Sequence, residues 1–349
     1  MELSYIIEKN KKSTINQRNL GIEILRMFLC FRIVLLHYYS RKNLYIRKLK
    51  HNRFQVPCFF FISFYFLYPT ISQKNHKKLR LRLERLLVPY IILPIINWII
   101  NNAMFILIKF NRYNRLLTLN DLKTQIIVGR GIFGISVLWF HFNLIILTIF
   151  FFIFSYVIKN DDFLPFFQII ALICYLLLYS DINHRFFKQY TENIWMSVGN
   201  IIETFPMAIF GFTLSSLNFY QKLLKNRKRN IIFSIISLYL ISHYHIFVLI
   251  KGFSLPGIHQ IFYSLFLFTF FSLLPLEMLN SKLLVFLRQI TKYTQGIYCL
   301  HFLVQYYMKL KLDKSGSFLG CIILYIFSYF ISYIGFNTFS KTKLKFLFS

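Results

Sequence analysis

Apolar runs of roughly 20 residues recur from one end of this chain to the other, the length a helix needs to cross about 30 Å of hydrocarbon. Hydrophobic residues make up 56% of the 349 and charged residues only 15%, against about a quarter charged in soluble domains. This pattern predicts an all-α fold, a polytopic transmembrane helical bundle, and leaves a soluble fold without support. About ten spans are placed at about 22–40, 54–72, 86–108, 138–158, 163–180, 199–218, 230–250, 256–276, 290–309 and 318–338. No internal repeat and no separate soluble domain stands out, so residues 1–349 read as a single integral membrane domain. The first run holds two arginines and lacks a small-residue cleavage site, so it reads as a retained span and not a signal peptide.

The net charge is +29, from 41 Lys and Arg against 12 Asp and Glu. The cations lie in short segments between apolar runs, where positive-inside topology and anionic membrane lipids account for them. Nucleic-acid binding is therefore not expected. Counting Lys and Arg on alternate connections favours N-in/C-in by a small margin, with the basic loop "RKNLYIRKLKHNR" as the main dissent. The longest connection, 109–137, contains "GRGIFGIS", whose glycines predict a turn or a partly re-entrant loop. Cys30, Cys58, Cys174, Cys299 and Cys321 all lie in apolar runs. They form no CxxC pair or Cys/His ligand spacing, so neither a disulfide framework nor a metal site is expected.

The first run, "IEILRMFLCFRIVLLHYYS", carries Glu23, Arg26, Arg32 and His37. An ionisable side chain at bilayer depth costs at least a few kcal/mol and faces a partner or a cavity. Arg26 and His37 are eleven residues apart, which returns them to nearly the same helix face, displaced by about 16 Å along the axis. Glu23, three residues before Arg26, can pair with it. Arg32 lies well round the helix and needs a partner of its own.

With the N-terminus inside, Arg26 sits toward the cytoplasm and His37 toward the outer face. Trp139 and His141 then begin span four near the outer face. Glu203, His243, His245, His259 and His301 lie in outer parts of their spans, and His51 and His184 lie in outer loops. Of the histidines only His76 is inner. The segment "KNHKKLRLRLERLLVPY" carries Arg82 and Arg85 at the entrance to span three. It reads either as an inner-face anchor or as an anion site, since arginine offers a planar, permanently charged fork suited to phosphates.

These pieces resemble the acyltransferase 3 family of integral membrane O-acyltransferases, whose members commonly acylate glycans and lipids at the bacterial envelope. "LRMFLCFRIVLLH" is similar to the family's Arg and His eleven apart in span one. "VPCFFFISF" resembles its Val-Pro-Phe-Phe stretch ending in Ser-Gly, with Phe64 standing where the family has Gly. "RLERLLVPY" resembles the Arg-x-x-Arg motif leading into Pro, "LWFHFNLI" the Leu-Trp-Phe element, and "GIYCLHFLV" the Gly-Ile-Tyr-Leu-x-His element. "FPMAIFGFTLSS" is similar to the Phe-rich mid-chain stretch. The pieces stand in family order over most of the chain. Some members carry a soluble C-terminal hydrolase-like domain, for which this chain has no room.

The resemblance implies that His37 is the catalytic base, that Arg26 is essential, and that Arg82 and Arg85 serve the acyl-CoA donor on the cytoplasmic side; Arg26 is read as a second catalytic residue, which holds the helix face through Glu23 or stabilises developing negative charge. The expected reaction is acyl transfer, usually of acetyl, from cytoplasmic acyl-CoA to a hydroxyl of an envelope glycan or a lipid-linked sugar. The protein would be a multi-pass component of a bacterial cell membrane, with acetyl-CoA as a substrate and no permanently bound cofactor. Trp139, His141, His301 and Glu203 are the expected acceptor-side residues. A transporter or flippase would also place charges in spans, but it predicts broken helices and repeat symmetry that the sequence lacks. A glycan polymerase predicts a large outer loop, also absent.

Overall fold

The computed structural model describes residues 19–38, 54–108, 115–128, 138–157, 164–178, 195–251, 258–309 and 318–348. The described residues are helical, with no strand among them. In chain order the α-helices are α1 Leu20–Tyr38, α2 Gln55–Tyr65, α3 Tyr68–Ser72, α4 His76–Ile108, α5 Leu119–Val128, α6 Leu138–Val157 and α7 Leu164–Leu178. They continue with α8 Trp195–Ser216, α9 Phe219–Leu224, α10 Arg227–Lys251, α11 Ile258–Ser272, α12 Ser281–Thr291, α13 Thr294–Lys309 and α14 Phe318–Thr338. A 3-10 turn, Lys343–Leu347, follows α14. Four stretches are long and apolar enough to cross a membrane by length and composition: Gln55–Ser72, His76–Leu107, Leu138–Tyr156 and Leu319–Thr338. The "GRGIFGIS" stretch, His51 and His184 lie outside the described residues.

Side-chain contacts fix the relative directions of the helices. Phe60 meets Phe140 at 5.1 Å between centroids and Phe64 meets Phe151 at 5.1 Å, so α2 and α6 run parallel. Arg82 reaches Thr148 while Tyr90 lies 6.0 Å from Phe142, so α4 runs against α6. α11 follows α2, through Phe54 on Tyr263 and Phe61 on Phe268. α13 follows α1: Cys30 Sγ donates to the Thr294 carbonyl and Gln305 Nε2 to the His37 carbonyl. Two ends result. One gathers the starts of α1, α4 and α13 with the ends of α2, α6 and α11. The other gathers the end of α1 with the starts of α6 and α11.

Between the ends lies a core of phenylalanine. Phe60, Phe61, Phe64, Phe151 and Phe268 are fully buried, and their edge-on and tilted pairings suit the ring quadrupole. In lipid the helices gain from van der Waals contact and close approach more than from expelling water. Gly211 of α8 supplies such an approach, because a Cβ there would overlap the Phe61 carbonyl of α2. Phe64, where the family pattern has Gly, is instead a packed core ring, so the close contact to α2 comes from the facing helix.

After α4 the chain doubles back. Trp98 Nε1 donates to the Leu117 carbonyl, and Tyr90, about two turns earlier on α4, donates to the Ile126 carbonyl. α5 therefore runs antiparallel to the later half of α4. Its start is held by a capping box: Asp121 Oδ2 accepts from Thr118 N, and Thr118 Oγ1 accepts from Asp121 N. Arg115 adds a two-pronged ion pair to Asp121 at 2.8 and 2.9 Å.

Candidate active site

The last turn of α1 ends in exposed His37. α13 grips this turn at two points one helical turn apart. Gln305 Nε2 donates to the His37 carbonyl at 3.0 Å, which satisfies one of the acceptors a helix C-terminus leaves open. The His301 ring lies 5.8 Å from the His37 ring. His301 is fully buried, and its Nδ1 lies 2.7 Å from the Tyr298 carbonyl. A carbonyl only accepts, so Nδ1 carries a proton and donates it there.

The Tyr298 ring sits 5.9 Å from His301 and 6.0 Å from His141. His141, buried at the start of α6, places Nε2 3.6 Å from Cys299 Sγ. His37, His301, Tyr298 and His141 thus form a continuous run across α1, α13 and α6. The three histidines read from the sequence as outer-side residues come together. Trp139 stands on α6 beside them, half-buried and packed edge-on to Phe140. Glu203 lies on α8, and its side chain is outside the described set. Its neighbour Thr204 accepts from buried Asn143 at 3.3 Å.

The opposite end is cationic. Arg26 Nη1 pairs with Glu23 Oε1 at 3.3 Å, as their spacing predicts. Arg82 points into the bundle: it donates to Ser63 Oγ at 2.9 Å and to the Ser63 carbonyl and Thr148 Oγ1 at 3.3 Å each, over the Phe64 ring. Arg26 and Arg82 stand near the starts of α1 and α4, at the same end of the bundle. Arg85 lies over the Phe346 ring of the final 3-10 turn at 5.7 Å. Lys343 of that turn reaches Glu84 at 3.1 Å. Arg26 and His37 share a helix but sit about 16 Å apart along it, so a single reacting centre cannot touch both. The partner that Arg32 needs is the Phe54 ring, 4.4 Å from the guanidinium, a cation–π contact of the sort arginine favours.

Sequence reasoning did not single out Tyr298, Gln305, Cys299, Asn143, Thr204, Ser63 or Thr148. For Ser63, Asn143, Tyr298 and Cys299 a signal stood within the quoted motifs. Nothing local marks Gln305 or Thr148, whose roles come from which helices meet. No group of His, Cys, Asp or Glu suited to a metal occurs among the described residues.

A bundle of apolar helices with ionisable residues at both ends of one of them defines a helical membrane protein. The family model described as "Acyltransferase domain", that of the acyltransferase 3 family, matches residues 19–336. The chain belongs to this family, and it is a membrane acyltransferase. No curated protein and no solved structure gives a significant match.

Proposed function

We propose that the protein transfers an acyl group, acetyl in the simplest case, from cytoplasmic acyl-CoA to a hydroxyl of an envelope glycan or glycolipid. The observation that carries this reading is the polarity of α1: exposed His37 beside His301 at one end, and the Arg26–Glu23 pair at the other, the end where Arg82 stands near the start of α4. Two arginines and one carboxylate leave excess positive charge at the second end, which suits the phosphates of a coenzyme A. Arg26, Arg82 and Arg85 are accordingly assigned to the donor end, and Arg26 is not assigned to the reacting carbonyl. The pantetheine arm would run up the bundle and present its thioester near His37.

His37 takes the proton of the acceptor hydroxyl as that oxygen attacks the thioester carbonyl. The tetrahedral adduct collapses, the C–S bond breaks, and the proton on His37 leaves with the coenzyme A thiol. His301, with Nδ1 committed to the Tyr298 carbonyl, orients His37. Trp139 and His141 border the acceptor, and Glu203 is assigned to the same side. The directions of α1, α2, α4, α6, α11 and α13 fit alternate crossings, and the reading is completed by about ten spans with both termini inside, in the cell membrane of a bacterium. The test is transfer of labelled acyl from acyl-CoA to glycan by the purified protein in vesicles. The expected result is transfer that His37→Ala abolishes while the protein still inserts. Wild-type turnover in that variant would remove His37 as the base.

A further inference from the structure

The loop after α11 leads into α12, Ser281–Thr291, an eleven-residue helix outside the histidine run and the arginine cluster. It lies at the arginine end. Asn19 ties the end of α11 to the start of α1 through the Ser272 carbonyl. Beyond α12, Lys292 Nζ lies 3.8 Å from the Phe336 ring centroid of α14, and Gln295 reaches the Arg85 carbonyl.

At about 100° per residue α12 has three sectors. One packs on α1 and includes buried Thr291 with half-buried Leu284 and Leu287. A second carries Leu283 and Phe286, 43% and 55% exposed, with Ile290 in line. The third carries Lys282, Arg288, Gln289 and Lys292, with exposed Val285 among them. Met278, just ahead of the helix, is 82% exposed. Asn280 caps the helix by accepting from Lys282 N. A helix meant for water has no use for the second sector, and one meant for the hydrocarbon centre cannot hold the third.

We propose that α12 is an interfacial helix that binds the anionic phospholipid surface of the leaflet on the arginine side. Leu283, Phe286 and Met278 enter the acyl boundary, and Lys282 and Arg288 meet the headgroup phosphates. Sequence position, cap and charge all fit this occupant: apolar and basic sectors adjoin along one helix, as in amphipathic helices lying at a bilayer surface.

The test uses the full-length protein with its own cysteines replaced, and Phe286→Cys or Arg288→Cys carrying a spin label. The vesicles are phosphatidylcholine with about a third phosphatidylglycerol. Position 286 should be more accessible to oxygen and position 288 to a water-soluble nickel complex. Restriction of a spin-labelled phosphatidylglycerol by the protein should weaken by at least about fivefold for each charge reversed in Lys282→Glu and Arg288→Glu. Two water-like positions would overturn the proposal, because α12 would then stand in solution. Two positions closed to both reagents would overturn it in favour of a protein partner, a second copy included. Unchanged lipid preference in the charge-reversed variants would also overturn it. None of these readings depends on acyl transfer.

Discussion

Replacing Arg82 by Ala should loosen the bundle as well as weaken the donor site, and the two effects can be separated. Arg82 joins α4 to α2 and α6 through one bond of 2.9 Å and two of 3.3 Å, all from its guanidinium. Bonds to a charged group contribute roughly 1.5–3 kcal/mol each in favourable geometry. Counting the short bond fully and the longer pair at about half gives about 3 kcal/mol. Cys58 lies buried on α2, five residues before Ser63, so its labelling by a thiol reagent reports opening of that helix. When opening is fast and reversible, about 3 kcal/mol raises the labelling rate on the order of a hundredfold. Arg85→Ala removes a ring contact worth about 0.5–1 kcal/mol, so it should change Cys58 labelling by no more than about fivefold, yet still weaken acyl-CoA binding. Arg82→Lys should fall between, since a point charge satisfies fewer acceptors than the fork. Labelling in Arg82→Ala as slow as in wild type would refute the reasoning and return Arg82 to a purely donor-facing role.

Gly211→Val should cut accumulation of folded protein sharply, as its side chain would meet the Phe61 carbonyl, and folded yield in detergent reports this. Gln305→Leu should lower kcat with little change in donor KM, because it frees the last turn of α1 and leaves the arginine end alone; matched kinetics against wild type decide it. The Arg115 guanidinium, with the Thr118 amide and hydroxyl, holds the Asp121 carboxyl well below the usual carboxylate range. A depressed carboxylate stabilises above its unfolded value and loses that contribution as pH falls through its folded one. Protection of the α5 amides, corrected for intrinsic rates, should therefore hold from about pH 7 to about pH 4, while Asp121→Asn should lose it already at neutral pH.

Much of this arrangement was legible in the sequence because lipid narrows the choices. Long apolar runs could only be helices, and Glu23, Arg26 and His37 could be set on one face by counting turns. That His37, His141 and His301 share one end could be read from alternating crossings, and the helix directions put them there; that they also meet across α1, α13 and α6 is a matter of packing. The tie of Arg82 to Ser63 and Thr148 was not legible, since an Arg-x-x-Arg pair looks the same facing in or out. Gln305 was hidden for a related reason: its value lies in reaching the backbone of another helix, and a polar residue in a span does not reveal its partner. The Phe54 partner of Arg32 was equally out of reach, because aromatic rings abound here and only packing selects one.

On the proposed function, donor and acceptor meet from opposite ends of one bundle at His37. The most direct measurement supplies labelled acyl-CoA to one face at a time of sealed membrane vesicles of known orientation, with wild type and His37→Ala side by side. Label should reach the glycan only when acyl-CoA faces the Arg82 end, and only with His37 in place. Equal labelling from either face, or transfer by His37→Ala, would contradict the account.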